Sequence, residues 1–275
     1  MSTWRDIWRY GVIANRFYSE NEEKGLKAFR KLNEVFGTDG MVHYIYAEAL
    51  ERRNLKEPAL VEYKKAKELF PVPHWQSVAE DSIKRLKSNK SAEQYYNKDN
   101  FEQLLWYSFH KVHDYVYLND FARYVCLSAL ARGSSEWPLS LVDFRTVLEL
   151  EIKQCFPEII DCFDDENRYS LFKTIEKLEA LGKIDSQKRK AFDNIRISGN
   201  IAAHNLYADK KYKIENVNSF IDVLEFFNNY RKNNKHIKKA DFAYPLCQLS
   251  IEQFLLIPDE DAIKRKIEID SKTVK

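Results

Sequence analysis

Two stretches thirty-four residues apart share one pattern. In EPALVEYKKAKELFP, Ala59, Tyr63, Ala66 and Pro71 follow one another at spacings of four, three and five. In EKGLKAFRKLNEVFG, Gly25, Phe29, Leu32 and Gly37 stand at the matching places. Small residues at helical spacing admit a neighbouring helix, a ring fills the groove between them, and a breaker ends the run. Each of these helices has a preceding partner, at about residues 4–19 (WRDIWRYGVIANRFYS) and 40–53 (GMVHYIYAEALERR). A period of this length restricts the first third of the chain to stacked helical hairpins.

The pattern resembles the tetratricopeptide repeat, in two copies over about residues 4–73, with a further helix at about 74–88 as a cap. The second copy carries His43 in place of the usual large aromatic and Ala47 in place of the usual glycine; the first copy lacks the terminal proline. Residues 1–88 are therefore read as a tetratricopeptide-like unit, either a packing scaffold or a surface for a partner protein.

Only 7 glycines and 7 prolines occur in 275 residues, too few for a sheet-rich protein with many tight turns. Long Lys-, Glu- and Leu-rich segments point the same way, to an all-α chain. The polar stretch at 89–100 reads as a linker, 101–240 as a helical bundle and 241–275 as a C-terminal extension. Within the bundle, helical spacing places segments at about 100–131, 138–155, 167–181, 186–206 and 216–232. Trp137-Pro138 is the start signal of the segment at about 138–155, and Asp185 or Ser186 would cap the segment at about 186–206. Val217, Phe220, Ile221, Leu224 and Phe227 form one apolar stripe.

With a net charge of +2, the chain as a whole favours no class of partner. The start, MSTWRDIWRY, lacks the apolar core of a secretory signal, and the most apolar run, YVCLSALA, is too short to cross a bilayer. Cys126, Cys155, Cys162 and Cys247 show no C-x-x-C spacing, so free thiols in a reducing cytoplasm are expected, without a metal. His110 and His113 have the spacing of two metal ligands but lack a third.

The most informative stretch is DNIRISGNIAAHN, residues 193–205. At roughly 100° per residue, Arg196, Asn200 and His204 lie within an arc of about 80°, with Asp193 one turn earlier. Phe192, Ile195, Gly199, Ala202 and Leu206 form the adjoining apolar face. A glycine inside a helix costs roughly 1 kcal/mol relative to alanine, so Gly199 implies close approach by a backbone or ligand. The row suits phosphodiester chemistry. An arginine holds a phosphate through paired N–H donors, and a histidine moves protons near neutral pH. It suits helix packing equally, with Arg196 paired to an acid such as Glu149. Nearby, Lys188, Arg189, Lys190, Arg231, Lys232, Lys235, His236, Lys238 and Lys239 offer a basic surface for a nucleic-acid backbone.

Three segments together, LVDFRTVLELEIKQCF, LFKTIEKLEALGKID and IRISGNIAAHNLY, resemble a bacterial domain of unknown function related to the HEPN superfamily. The shared positions are Arg145, Leu148 and Glu149; Leu181, Gly182 and Ile184; and Arg196, Gly199, Asn200, Ala203 and His204. The resemblance covers about residues 138–231. It implies a HEPN-like helical bundle, a homodimer, and an RNA-directed protein of defence or stress response, acting without metal or cofactor. In that reading His204, Arg196 and Asn200 are catalytic, Lys188, Arg189, Arg231, Lys232 and Lys235 contact RNA, and Arg145, Glu149, Gly199 and Ala203 are structural. Gly199 stands where the HEPN motif has its arginine. The resemblance therefore equally implies a non-catalytic adaptor that dimerises through its Gly-Ala face.

Overall fold

The structure, a computed structural model, describes residues 4–132, 136–204, 212–234 and 251–255. Among these residues the named elements are helices, with one isolated bridge between Phe163 and Tyr169, and the all-α expectation holds. The chain divides into two units, residues 1–91 with 241–275, and residues 92–240.

The first unit contains α1 (Trp4–Glu20), α2 (Glu22–Phe36), α3 (Gly40–Arg52), α4 (Lys56–Leu69) and α5 (Pro73–Lys87). Helix α1 packs on α2 and α3, α3 on α4, and α4 on α5, the order of stacked hairpins. The turns are built from capping side chains. Asn21 accepts from Lys24 N at 3.1 Å and Asp39 from Met41 N at 2.8 Å, each satisfying a backbone donor that the helix leaves free. The small-and-bulky pattern is a packing pattern: Phe29, Leu32, Ala59, Tyr63 and Ala66 are all buried. A Cβ on Gly25 would lie 2.2 Å from Tyr18 Cα, so only glycine lets α1 and α2 approach this closely.

At the atypical His43, the ring is buried with Nδ1 2.6 Å from Glu62 and Nε2 3.0 Å from the carbonyl of Gly37. Both partners only accept, so both ring nitrogens donate and the imidazole is held as a cation. Burial works against that charge, but the hydrogen bonds to Glu62 and Gly37 outweigh it and raise the pKa. Glu62, in turn, is lowered; burial opposes its charge, and bonds from His43 and Lys65 overcome that opposition.

Within the segment 241–275 the described residues form a short helix, Ile251–Leu255, whose Phe254 is buried with its ring 6.0 Å from Tyr10 and 5.7 Å from Phe17. The expected linker at 89–100 is partly structured. It holds α6 (Ala92–Tyr95), and the buried Tyr96 hydroxyl pairs with His110 Nε2 at 3.0 Å.

The second unit continues with α7 (Phe101–Asp114), α8 (Asp120–Ala131), α9 (Trp137–Cys155), α10 (Leu171–Ala180), α11 (Ser186–His204) and α12 (Lys213–Asn233). Helix α9 is central, packing against α8, α11 and α12. Its Phe144 stacks on Phe220 with centroids 3.6 Å apart, and Phe192 of α11 meets Phe226 and Phe227. The single helix expected over 100–131 is broken because Asn119 ends the turn after α7. Its side chain caps α8 by accepting from Phe121 N at 2.8 Å, and its own N–H donates to Glu151 at 3.2 Å.

Arg231 is the clearest departure from expectation. It is 4% exposed, its Nε donates to the fully buried Glu151 at 2.7 Å, and it also binds Gln154. It belongs to the core and cannot contact RNA. Cys126, Cys155 and Cys162 are buried free thiols, and burial pushes the first two well above the ordinary range; Cys247 lies outside the described residues.

Candidate functional site

Helix α11 starts where Asp185 accepts from Lys188 N at 2.7 Å, which fixes the expected cap on Asp185. The turn before it ends α10 through Gly182, whose φ of 65° lies in the left-handed region that glycine tolerates. From there three faces of α11 are assigned by what they touch. Phe192, Ile195, Gly199 and Ala202 are buried. Asn194 donates to Glu215 at 3.2 Å and Ser219 at 3.1 Å, and Ser198 donates to Asn216 at 2.8 Å, which ties a second face to α12. The third face carries the row.

Gly199 meets α9. A Cβ built there would lie 2.5 Å from Arg145 Cβ, 2.9 Å from the Leu141 carbonyl oxygen and 3.0 Å from Arg145 Cδ. The close approach implied by the glycine is therefore to a neighbouring helix. On the Gly-Ala face, Gly199 is occupied by α9, whereas Ala203 is exposed.

Arg196 and Asn200 are half-buried and His204 is exposed. The Nε of Arg196 donates to Asp193 at 2.9 Å, and its guanidinium lies 5.0 Å over the Phe172 ring. Its two terminal amino groups have no hydrogen-bond partner among the described residues. Asn200 and His204 likewise make no hydrogen bond to a described residue. Glu149, offered by the sequence as a partner for Arg196, is taken by Lys153 at 2.6 Å and, more loosely, by Arg145 at 3.8 Å.

The wider basic surface is broken up. Arg189 is engaged by Glu179, by Glu176 at 3.5 Å and by Asp193 at 3.5 Å. Arg231 is in the core, Lys188 is half-buried, Lys232 is exposed, and Lys235, His236, Lys238 and Lys239 lie outside the described residues. His110 and His113 are core residues, His110 bound to Tyr96 and His113 packed 5.0 Å from the Phe109 ring. Among the described residues no group of three His, Cys, Asp or Glu side chains is placed to hold a metal ion, and no helix is long and apolar enough to cross a membrane.

Residues 130–235 match the sequence family described as a domain of unknown function, DUF4145. The matched segment contains α9 to α12, and with them Arg145, Glu149, Arg196, Gly199, Asn200 and His204. These residues fall into two sets. Arg145 and Gly199 touch each other and set the distance between α9 and α11, whereas Asn200 and His204 face away from the core. No curated protein and no solved structure matches the chain.

Phe172 and Asp193 complete the surroundings of Arg196. Asp193 was visible in the sequence as the residue one turn before the row. Phe172 was not, because its contact with α11 depends on how α10 docks.

Proposed function

We propose that the DUF4145 segment is an RNA-directed site of the HEPN kind and that α11 carries its chemistry as a metal-independent endoribonuclease, in bacterial defence or stress response. The observation that carries this reading is the open face. Of three polar side chains spaced one turn apart, His204 is exposed, Asn200 is half-buried, and Arg196, resting over Phe172 of α10, keeps its terminal amino groups unspent, so the row has hydrogen-bonding capacity to spare. A row serving only to join helices would be spent on its neighbours, as Asn194 and Ser198 are.

In this reading the terminal amino groups of Arg196 hold the non-bridging oxygens of the scissile phosphate while Asp193 and Phe172 keep its side chain in place. The imidazole of His204 takes the proton of the ribose 2′-OH as that oxygen attacks phosphorus. The bond to the 5′-oxygen breaks, and the leaving oxygen receives a proton from the imidazolium. The products are a 2′,3′-cyclic phosphate and a free 5′-OH. Asn200, between the two, orients the ring or the sugar.

Incubating the wild-type protein and H204A with total RNA and EDTA tests the reading. Cleavage by wild type alone supports it; intact RNA with both refutes it.

A second reading has its own observation. Ile197 and Ile201 lie one turn apart on α11 and are 44% and 51% exposed. An apolar pair beside the row favours a binding module without chemistry, joined to a tetratricopeptide-like unit that engages a partner protein. The same RNA experiment separates the two.

A further inference from the structure

Helix α10 packs beside α11, and two sets of its residues have different tasks. Leu171, Thr174, Ile175 and Leu178 are buried and form its inward face. Phe172, Glu176 and Glu179, spaced by four and three residues, lie together on the neighbouring flank. Both glutamates answer Arg189 of α11, Glu179 directly and Glu176 at 3.5 Å. At the other end of that flank, position 172 meets Arg196 with a phenyl ring, the guanidinium carbon 5.0 Å from its centroid.

The two pairings leave the arginines in different states. The charge of Arg189 is spent on carboxylates of α10. Arg196 is held through Nε by Asp193 of its own helix at 2.9 Å, and α10 adds only the face of a ring. That attraction needs no acceptor for the N–H groups of the guanidinium. A glutamate at 172, continuing the pattern of 176 and 179, would compete with any anion for the terminal amino groups; a ring does not. The ring is also 42% exposed, so aromatic surface is open to solvent directly beside those amino groups. A lone exposed phenylalanine is ordinary, but one under an arginine with donors to spare is half of a two-part site.

We infer that Phe172 is a stacking platform for an unpaired nucleobase beside the phosphate contact of Arg196, which makes single-stranded RNA the ligand of α11. The inference rests on the RNA-directed reading of α11. A nucleotide carries the two groups that this pair of side chains recognises, an anionic phosphate and a flat ring, joined by a sugar. A base inside a duplex is stacked on its neighbours and out of reach of a side chain, whereas an unpaired base is not. Every base has a π face, so the platform selects the state of the strand and not its sequence.

The test is binding of a fluorescein-labelled RNA 20-mer, single-stranded or annealed to its complement, followed by anisotropy across a salt series. It compares H204A, in which the strand stays whole, with H204A/F172L and H204A/F172W. Leucine keeps apolar bulk under Arg196 and removes the π face; tryptophan restores that face. The leucine variant is expected to bind the single strand about tenfold more weakly, with duplex affinity and the slope of log K against log salt unchanged, since no charge is removed. The tryptophan variant is expected to recover the affinity. Thermal melting checks that the fold survives, and F172M replaces F172L if it does not. A loss below about threefold on the single strand, or an equal loss on both strands, overturns the platform and leaves the α11 reading standing; the equal loss is the mark of a ring that only holds Arg196. No binding of either strand also overturns the platform, and together with RNA left intact by the wild-type protein it overturns the α11 reading as well.

Discussion

Replacing Gly199 by alanine sets two effects of opposite sign against each other. In an open helix the change is stabilising by about 0.5–1 kcal/mol, because alanine loses less backbone entropy on folding. Here the new methyl would lie 2.5 Å from Arg145 Cβ and 2.9 Å from the Leu141 carbonyl oxygen. Neither atom is the end of a flexible side chain, so relief requires α9 and α11 to move apart. Overpacking of this kind costs about 1–3 kcal/mol. The net expectation is a loss of about 1–2 kcal/mol, which in a unit of this size lowers the melting temperature by roughly 2–8 °C. Thermal unfolding measures the loss, and hydrogen exchange in peptides covering 141–155 and 186–204 assigns it to the α9–α11 pair. A G199A protein more stable than wild type would refute the close approach.

Other consequences can be checked alongside. Because the folded-state pKa of His43 is raised, its contribution to stability is present below about pH 6.5 and is lost as pH rises through the folded value. Glu62 acts in the opposite sense, its contribution being lost as pH falls through its lowered folded value. The first unit is thus expected to weaken between pH 6 and pH 9 in urea titrations, with the slope flattened in H43Q; an unchanged slope would show that the pair is not the cause. R231M leaves Glu151 buried without its cation and should cost about 3–5 kcal/mol, most of it recovered in R231M/E151M. Equal stabilities of R231M and wild type would contradict the buried pair. Since Lys232 is exposed and Arg231 is not, K232A is the variant of the two in which any phosphate contact would show, as a reduced salt slope in RNA binding.

The helical hairpins and the faces of α11 were legible because burial repeats with the helix period. Ala59, Tyr63 and Ala66, or Phe192, Ile195 and Gly199, announce an inward face whatever lies opposite. What lies opposite was not legible. Gly199 signals a close neighbour without naming Arg145, and the packing alternative offers Arg196 an acid such as Glu149, whereas Asp193, three residues away on the same helix, holds it. Arg231 was placed on the surface by its charge and by the basic residues that follow it. Its position continues the stripe of Val217, Phe220, Leu224 and Phe227 by one more turn, and that spacing was the signal for burial. A charge on an apolar stripe calls for a buried partner, here Glu151 on the inward face of α9. Asn119 shows the same limit in the backbone. The apolar run over 100–131 hid a break that is made by one capping side chain and a long-range bond to Glu151.

The proposed chemistry stands or falls on a ribose hydroxyl and one imidazole. A 5′-labelled oligoribonucleotide and the same strand with 2′-deoxy sugars, each incubated with wild-type protein and with H204A in EDTA, address both at once. The reading predicts that wild type cuts only the ribose strand, leaving a 2′,3′-cyclic phosphate, and that H204A cuts neither. Cleavage by H204A at the wild-type rate, or an intact ribose strand with the wild-type protein, would contradict it.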